Sequence, residues 1–166
     1  LHVVTTASTD KVAFVKSLGA DVVVDRKVQQ FDKVVRGMHA VLDSVGMDNL
    51  VSSFNCVAPG ATVVSIADGP DVALAKSLGL NPLLWPVFYF LGLKAHSAAK
   101  KANAHYHFMF MRADGKQLES LNPLLENGTL KTHLDRVYTF EQTPEALAYV
   151  ESGKAKGKVV IQLQAD

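Results

Sequence analysis

The run "DVVVD" at residues 21–25 constrains this chain more than any other feature. Three consecutive β-branched residues are too few for a helix, and they lack the alternation of a strand with one wet face. Short strands of this kind belong to parallel sheets covered by helices on both faces. A helix signal precedes the run. Ser8 or Thr9 serves as its cap, Asp10 suits the positive end, Val12, Val15 and Leu18 share one face, and Gly19 ends it.

The unit then recurs. "MHAVLDSVG" reads as a strand ending at Asp43 with a turn at Gly46, and the next residues place Leu50, Val51 and Phe54 on one helical face. "APGATVVSIADG" is a turn, a strand over residues 61–66 and a polar loop. Strands alternating with helices at this pitch give an α/β fold with a doubly wound parallel sheet. Further on, "HYHFMFMRADG" reads as a strand ending near Arg112. Asp114 caps one helix carrying Leu118, Leu121, Leu124 and Leu125. "HLDRVYTF" is a strand, "TPEALAYVESG" a helix capped by Thr143, and "GKVVIQL" a last strand. The rhythm changes after Lys131, so residues 1–130 and 131–166 are expected to belong to different domains.

Charge excludes some partners. With 17 basic and 16 acidic side chains the net charge is +1, which leaves no electrostatic footprint for nucleic acid or an anionic membrane. Cys56 is the single cysteine, so neither an intrachain disulfide nor a cysteine zinc cluster forms, and a cytoplasmic setting is the simplest expectation. The apolar stretch "NPLLWPVFYFLGL", residues 81–93, is shorter than the roughly 20 residues a membrane span needs, and Pro86 interrupts it. It is expected as a buried loop-and-helix segment or the wall of a pocket.

In open parallel sheets, ligands sit beyond the carboxyl ends of the strands. That rule selects the segments at residues 6–8, 25–26, 43–46 and 65–69, all small, hydroxylated or glycine-containing. The first strand ends without the acid that would accept a free ribose 2′-hydroxyl. Ser8, Lys11 and Arg26 instead place hydroxyl and positive charge there, which suits a 2′-phosphate and hence NADP. Helix capping by Ser8 and a solvated Lys11 account for the same residues equally well. His105 and His107 share a strand face, with His96 near in sequence, but no carboxylate or cysteine completes a metal set. Ser44 lacks the G-x-S-x-G turn of a hydrolase nucleophile.

The segments "TTASTDKVAFVKSLGADVVVD", "AVLDSVG", "PGATVVSIADGP" and, most specifically, "ALAYVESGKAKGKVV" fall in the order found in medium-chain dehydrogenase/reductases. Nearly the whole chain resembles the zinc-independent, NADPH-using quinone oxidoreductase branch of that superfamily. The resemblance implies a Rossmann-like sheet lacking its first β-α unit. In complete relatives a strand, a glycine-rich phosphate turn and a catalytic domain of about 120 residues come earlier. Without that phosphate cradle, dinucleotide binding is expected to be weak or absent. Residues 131–166 would return toward the catalytic domain.

Carried over residue by residue, the resemblance assigns Lys11 and Ser8 to the 2′-phosphate, and Arg26 stands where the family often has tyrosine. Ser44, Val45 and Gly46 flank adenine or ribose; Ser65, Ile66 and Ala67 line the nicotinamide half. Phe108, Met109 and Phe110 approach the carboxamide, and Lys158 reaches the cofactor. The implied chemistry is hydride transfer from NADPH to a quinone or an activated alkene or carbonyl, with no catalytic residue assigned and no zinc expected. The implied assembly is a homodimer through the strand around His105 and Met111. Two other readings stay open. One is a catalytically silent dimerisation or structural module; the other is part of a zinc alcohol dehydrogenase whose metal-bearing domain lies elsewhere.

Overall fold

The computed structural model describes residues 1–163, which form two compact units, Leu1–Arg112 and a second beginning at Ala113. The first unit runs β1 (Val4–Ala7), α1 (Val12–Ser17), β2 (Val22–Asp25), α2 (Phe31–Val34), β3 (Met38–Asp43), α3 (Met47–Ser53), β4 (Val57–Ser65), α4 (Val72–Ser77), α5 (Trp85–Lys101) and β5 (His105–Phe108). Every strand pair is parallel. β1 pairs with β2, and β4 lies between β3 and β5. The doubly wound order 3-2-1-4-5-6 places its first strand between the second and the fourth. β1 to β5 thus take the places of strands two to six, and β1 and β3 each keep one edge without a strand partner among the described residues. This is the expected Rossmann-like sheet without its first β-α unit.

Covering of the sheet is uneven. In β2, Val24 is 3% exposed but Val22 is 42% exposed. The expectation of burial on both faces is met only in part, since Val23 and Asp25 on the other face are half-buried. A two-stranded pair with one neighbouring helix cannot enclose both faces. The main core lies around β4 instead, where Val63 is fully buried among Leu50, Phe54, Ala95, Ala99 and Tyr106.

Two expectations for this unit need correction. Ser8 is the cap residue before Thr9–Lys11, but its side chain makes no capping bond, and a 3₁₀ turn precedes α1. The stretch at residues 81–93 is not a buried segment. Pro86 sits in the first turn of α5, where a missing amide costs nothing, so it starts a 17-residue helix rather than interrupting one. α5 buries Gly92, Ala95 and Ala99, small residues three and four apart that let the helix lie close to its neighbours. Val87, Tyr89, Phe90, Leu91 and Leu93 are therefore left exposed. No helix among the described residues is long and apolar enough to cross a membrane.

The second unit holds α6 (Gly115–Glu119), α7 (Asn122–Glu126), β6 (Leu134–Thr139), α8 (Thr143–Glu151) and β7 (Lys158–Gln162), with β6 parallel to β7. Asp114 caps α6 by accepting from the Gln117 amide. The single helix expected there is broken in two, because Pro123 cannot donate to the carbonyl of Glu119 and its ring crowds that carbonyl. Thr143 is not the cap of α8 but its first residue. Thr139 forms the capping box one turn earlier, with Gln142 accepting from its amide. The Asp135 carboxylate accepts from the Tyr149 hydroxyl at 2.8 Å and the Lys156 amide at 3.1 Å, tying β6 to α8 and to the approach of β7.

Candidate functional site

At the carboxyl ends of β1 and β2, the Arg26 amide donates to the Ala7 carbonyl, setting Ser8 beside the start of the next segment. Ser8 is buried and Arg26 exposed. The Ser8 hydroxyl hydrogen-bonds the Asp10 carboxylate and lowers its pKa from the ordinary value, a direction reinforced by Asp10's own backbone amide and by the Lys27 and Lys11 charges. Two cations, Lys11 and Lys27, thus act on one carboxylate that the sequence reading placed only at the helix end, and Arg26 follows the end of β2. The donor set fits an anion such as phosphate, with Asp10 as a competitor for it.

The ends of β3, β4 and β5 are more tightly built. Register places Asp43 beside Ser65 and Ser65 beside Phe108. The Ser65 hydroxyl donates to the Asp43 carboxylate at 2.7 Å and accepts from the amides of Ala67 and Asp68. Asp43 also accepts from the amides of Val45 and Gly46. A buried carboxylate needs such a full set of donors. The Met47 amide donates to Asp68 at 2.8 Å, closing the loop after β3 onto the loop after β4. Gly46 makes that closure possible: φ is +79°, and a Cβ there would lie 2.6 Å from the Cβ of Asp68.

The structure brings Ser44, Val45, Gly46, Ser65, Ile66, Ala67, Phe108 and Met109 to one edge of one sheet. The Met109 amide donates to the Ser65 carbonyl. Ser44, Val45, Ile66, Ala67, Met109 and Phe110 are exposed, whereas Gly46 and Ser65 are buried and shape the backbone. Ser8, Lys11 and Arg26 form a separate group on the β1–β2 pair, and Lys158 lies in the second unit. The strand expected to end near Arg112 ends at Phe108, so Met109 and Phe110 are in the segment beyond it. Sequence reasoning missed Asp68 as a lock between loops. It also missed Asp71, which accepts from the Leu74 amide and pairs with His96 at 2.9 Å. A cleft of about 200 Å³ borders these loops, lined by Met47, Leu50, Asp68, Gly69, Leu91 and Ala95 among others. The larger hollow, about 740 Å³ between α3 and α5, lies away from the strand ends.

Asp43 has Ser65 and backbone amides as its partners rather than a histidine, which gives Ser44 no triad. Among the described residues no group of three or more His, Cys, Asp or Glu is placed to hold a metal ion. His105 and His107 project from the exposed face of β5, while His96 is engaged with Asp71.

Residues 18–161 match the family described as zinc-binding dehydrogenase. The human NAD(P)H oxidoreductase RTN4IP1, mitochondrial, is 30% identical over 167 residues, covering 98% of this chain and 42% of that protein. The Arabidopsis thaliana NADPH-dependent alkenal/one oxidoreductase, chloroplastic, is 26% identical over 161 residues, 96% of this chain and 33% of that protein. The solved quinone oxidoreductase from Coxiella burnetii superposes with a TM-score of 0.73 at 21% identity, over 98% of this chain and 45% of that one, a likeness of fold. The chain spans less than half the length of these relatives. With the parallel sheet and the strand-end loops on the page, the match over residues 18–161 makes the chain a member of the zinc-binding dehydrogenase family of medium-chain dehydrogenase/reductases.

Proposed function

We propose that the chain supplies most of the cofactor half of an NADPH-dependent oxidoreductase that passes hydride to a quinone or an activated alkene or carbonyl. The observation that carries this reading is the paired loop edge fixed by Asp43 and Ser65. It presents Ser44, Val45, Ile66 and Ala67 from a rigid backbone at the place where open parallel sheets take their ligands. When bound, the nicotinamide supplies the hydride. Such transfer depends on positioning and exclusion of water more than on a strong acid or base.

In this reading Ser8, Lys11 and Arg26 face the 2′-phosphate, with Lys27 adding charge. Ser44, Val45 and Gly46 flank the adenosine ribose. Ile66 and Ala67 line the nicotinamide half, and Ser65 acts by holding their backbone. The segment Phe108, Met109 and Phe110 approaches the carboxamide, and Lys158 reaches the cofactor near the end of the chain. Residues 1–130 belong to cofactor binding and 131–166 to the return toward a catalytic domain. The lone buried Cys56 suits a reducing compartment, the cytoplasm in this reading.

The test uses half-cofactors, which need no complete pyrophosphate cradle. Amide chemical shifts are followed while adenosine 2′,5′-bisphosphate or AMP is added. The expected result is saturable shifts at Ser8, Lys11 and Arg26 with the bisphosphate at about tenfold lower concentration than with AMP, a difference of ~1.4 kcal/mol. Equal titrations with the two ligands would remove the NADP assignment.

The homodimer belongs to the same proposal. β5 pairs only with β4 among the described strands, and Met109, Phe110 and Met111 are exposed just beyond its end. An uncovered edge flanked by apolar side chains favours pairing with a second copy. Sedimentation equilibrium should give twice the chain mass, and a monomer at micromolar concentration would count against it.

A further inference from the structure

We infer that Tyr106 is a positioning residue: its hydroxyl sets the loop after β4, residues 66–70, in the one conformation that turns Ile66 and Ala67 outward. The inference deepens the proposed function, because that loop is the one assigned to the nicotinamide half.

Tyr106 alternates with His105 and His107 along β5, so that both histidines face solvent while the phenol points into the core, 7% exposed. Its hydroxyl donates to the carbonyl of Gly69 at 2.7 Å and lies 3.0 Å from that of Asp68. Two successive loop carbonyls are thereby turned inward onto one phenol. The ring is held edge-on against Phe54, with centroids 6.2 Å apart, and against His96, 5.2 Å apart at 90°. His96 in turn pairs with Asp71, whose other carboxylate oxygen caps α4.

The loop is therefore pinned at three points. Ser65 takes the amides of Ala67 and Asp68 at its start, Tyr106 takes the carbonyls of Asp68 and Gly69 in its middle, and Asp71 fixes its end. Gly69 completes the fit. Its φ is +84°, and a Cβ would stand 2.3 Å from the Tyr106 hydroxyl oxygen. A phenylalanine at position 106 would fill the same core volume and leave both carbonyls without their donor. Burial, with the charges of Asp71, Asp68 and Asp43, pushes the Tyr106 hydroxyl well above the ordinary tyrosine pKa, so the group remains a donor at every physiological pH.

The test is Tyr106→Phe, which removes one oxygen and keeps the ring. Amide hydrogen exchange is measured on the isotope-labelled chain, with Ala67, Asp68 and Gly69 compared with Val63 and Val64 in β4. The expected result is roughly tenfold faster exchange confined to the loop. Unchanged loop exchange, or an equal increase at Val63 and Val64, would overturn the inference, since a hydroxyl that only supports the core has no local effect. Gly69→Ala reaches the same loop from the other side and should give the same local pattern should the Tyr106 variant fail to fold. Phe54→Leu, which alters the ring packing and spares the hydroxyl, should loosen β4 and the loop alike.

A binding split adds a readout that lost stability would not produce. Reduced nicotinamide mononucleotide should shift Ile66 and Ala67 in the wild-type chain and do so several-fold more weakly in Tyr106→Phe, with adenosine 2′,5′-bisphosphate unaffected at Lys11. Equal weakening of both ligands would overturn the positioning role. If the mononucleotide shifts neither chain while loop exchange still rises in the variant, the loop latch stands and its assignment to nicotinamide falls.

Discussion

The two strand-end regions of the first unit differ in how they hold their polar groups. Beyond β3 and β4, Asp43, Ser65, Asp68 and Gly46 are bonded to one another through buried or half-buried contacts, and the exposed side chains stand on the backbone they hold. Beyond β1 and β2, Lys11 and Lys27 act loosely on the Asp10 carboxylate, and Arg26 stands exposed after the last residue of β2. In the proposed function the first arrangement would select by shape, since its donors and acceptors are already spent on the backbone. The second would select by charge, and salt screens exposed charges over about 8–10 Å. A dinucleotide has a flat, apolar end and an anionic end, and the contrast suits that division of labour.

The largest effect should come from breaking the first region at its hub. Asp43→Ala leaves the Ser65 hydroxyl and the Val45 and Gly46 amides without their acceptor. A loss of about 3 kcal/mol is expected in urea unfolding, because buried donors without partners carry their full desolvation cost. Ser65→Ala removes one arm of the same hub and should cost about 1–2 kcal/mol. If the two substitutions together cost the sum of their separate effects, Asp43 and Ser65 do not act as a unit.

Alkaline pH tests the same region without mutation. The pKa of Tyr106 is raised in the folded chain, chiefly by burial, whereas the unfolded tyrosine titrates near 10. Above about pH 10 the unfolded chain loses this proton and the folded chain keeps it. Unfolding then releases a proton, so stability present below that pH falls as pH rises toward the folded value, by about 1.4 kcal/mol per unit for one group. Tyr106→Phe should remove that share of the slope. A wild-type and variant pair with identical stability profiles between pH 9 and 11 would contradict the buried phenol.

The smallest stability change belongs to the other region. Lys11→Glu should alter unfolding by less than about 1 kcal/mol, as expected of a partly exposed charge. It should nevertheless raise the concentration of adenosine 2′,5′-bisphosphate needed at Ser8 by about tenfold, and the difference should shrink in about 1 M salt. A salt-independent effect would mean that Lys11 acts through packing, and the comparison between a shape-selecting and a charge-selecting region would lose one side.

Local pattern made much of this legible. "DVVVD" is a strand because three β-branched residues between two acids have few other options, and the sites at its end and at the end of "ATVVS" follow from the parallel arrangement. Pro86 was legible as a backbone constraint but not in its consequence, and Pro123 went unread. One begins a long helix and the other divides two short ones, according to where the neighbouring turns fall. The apolar richness of residues 81–93 suggested burial, yet helix geometry gave the inward face to Gly92, Ala95 and Ala99.

What the sequence by itself determined is the class of fold, the order of the elements in the first unit and the places where β1 to β4 end, since these depend on residues near one another in the chain. Only the tertiary structure decided that Asp43 meets Ser65 across 22 positions, that Met47 meets Asp68, and that the Tyr106 hydroxyl reaches Gly69 across 37. Those contacts depend on strand register and on how closely the loops pack. Both are set by side-chain volume and backbone angles summed over the whole unit, and no local stretch of sequence contains that sum.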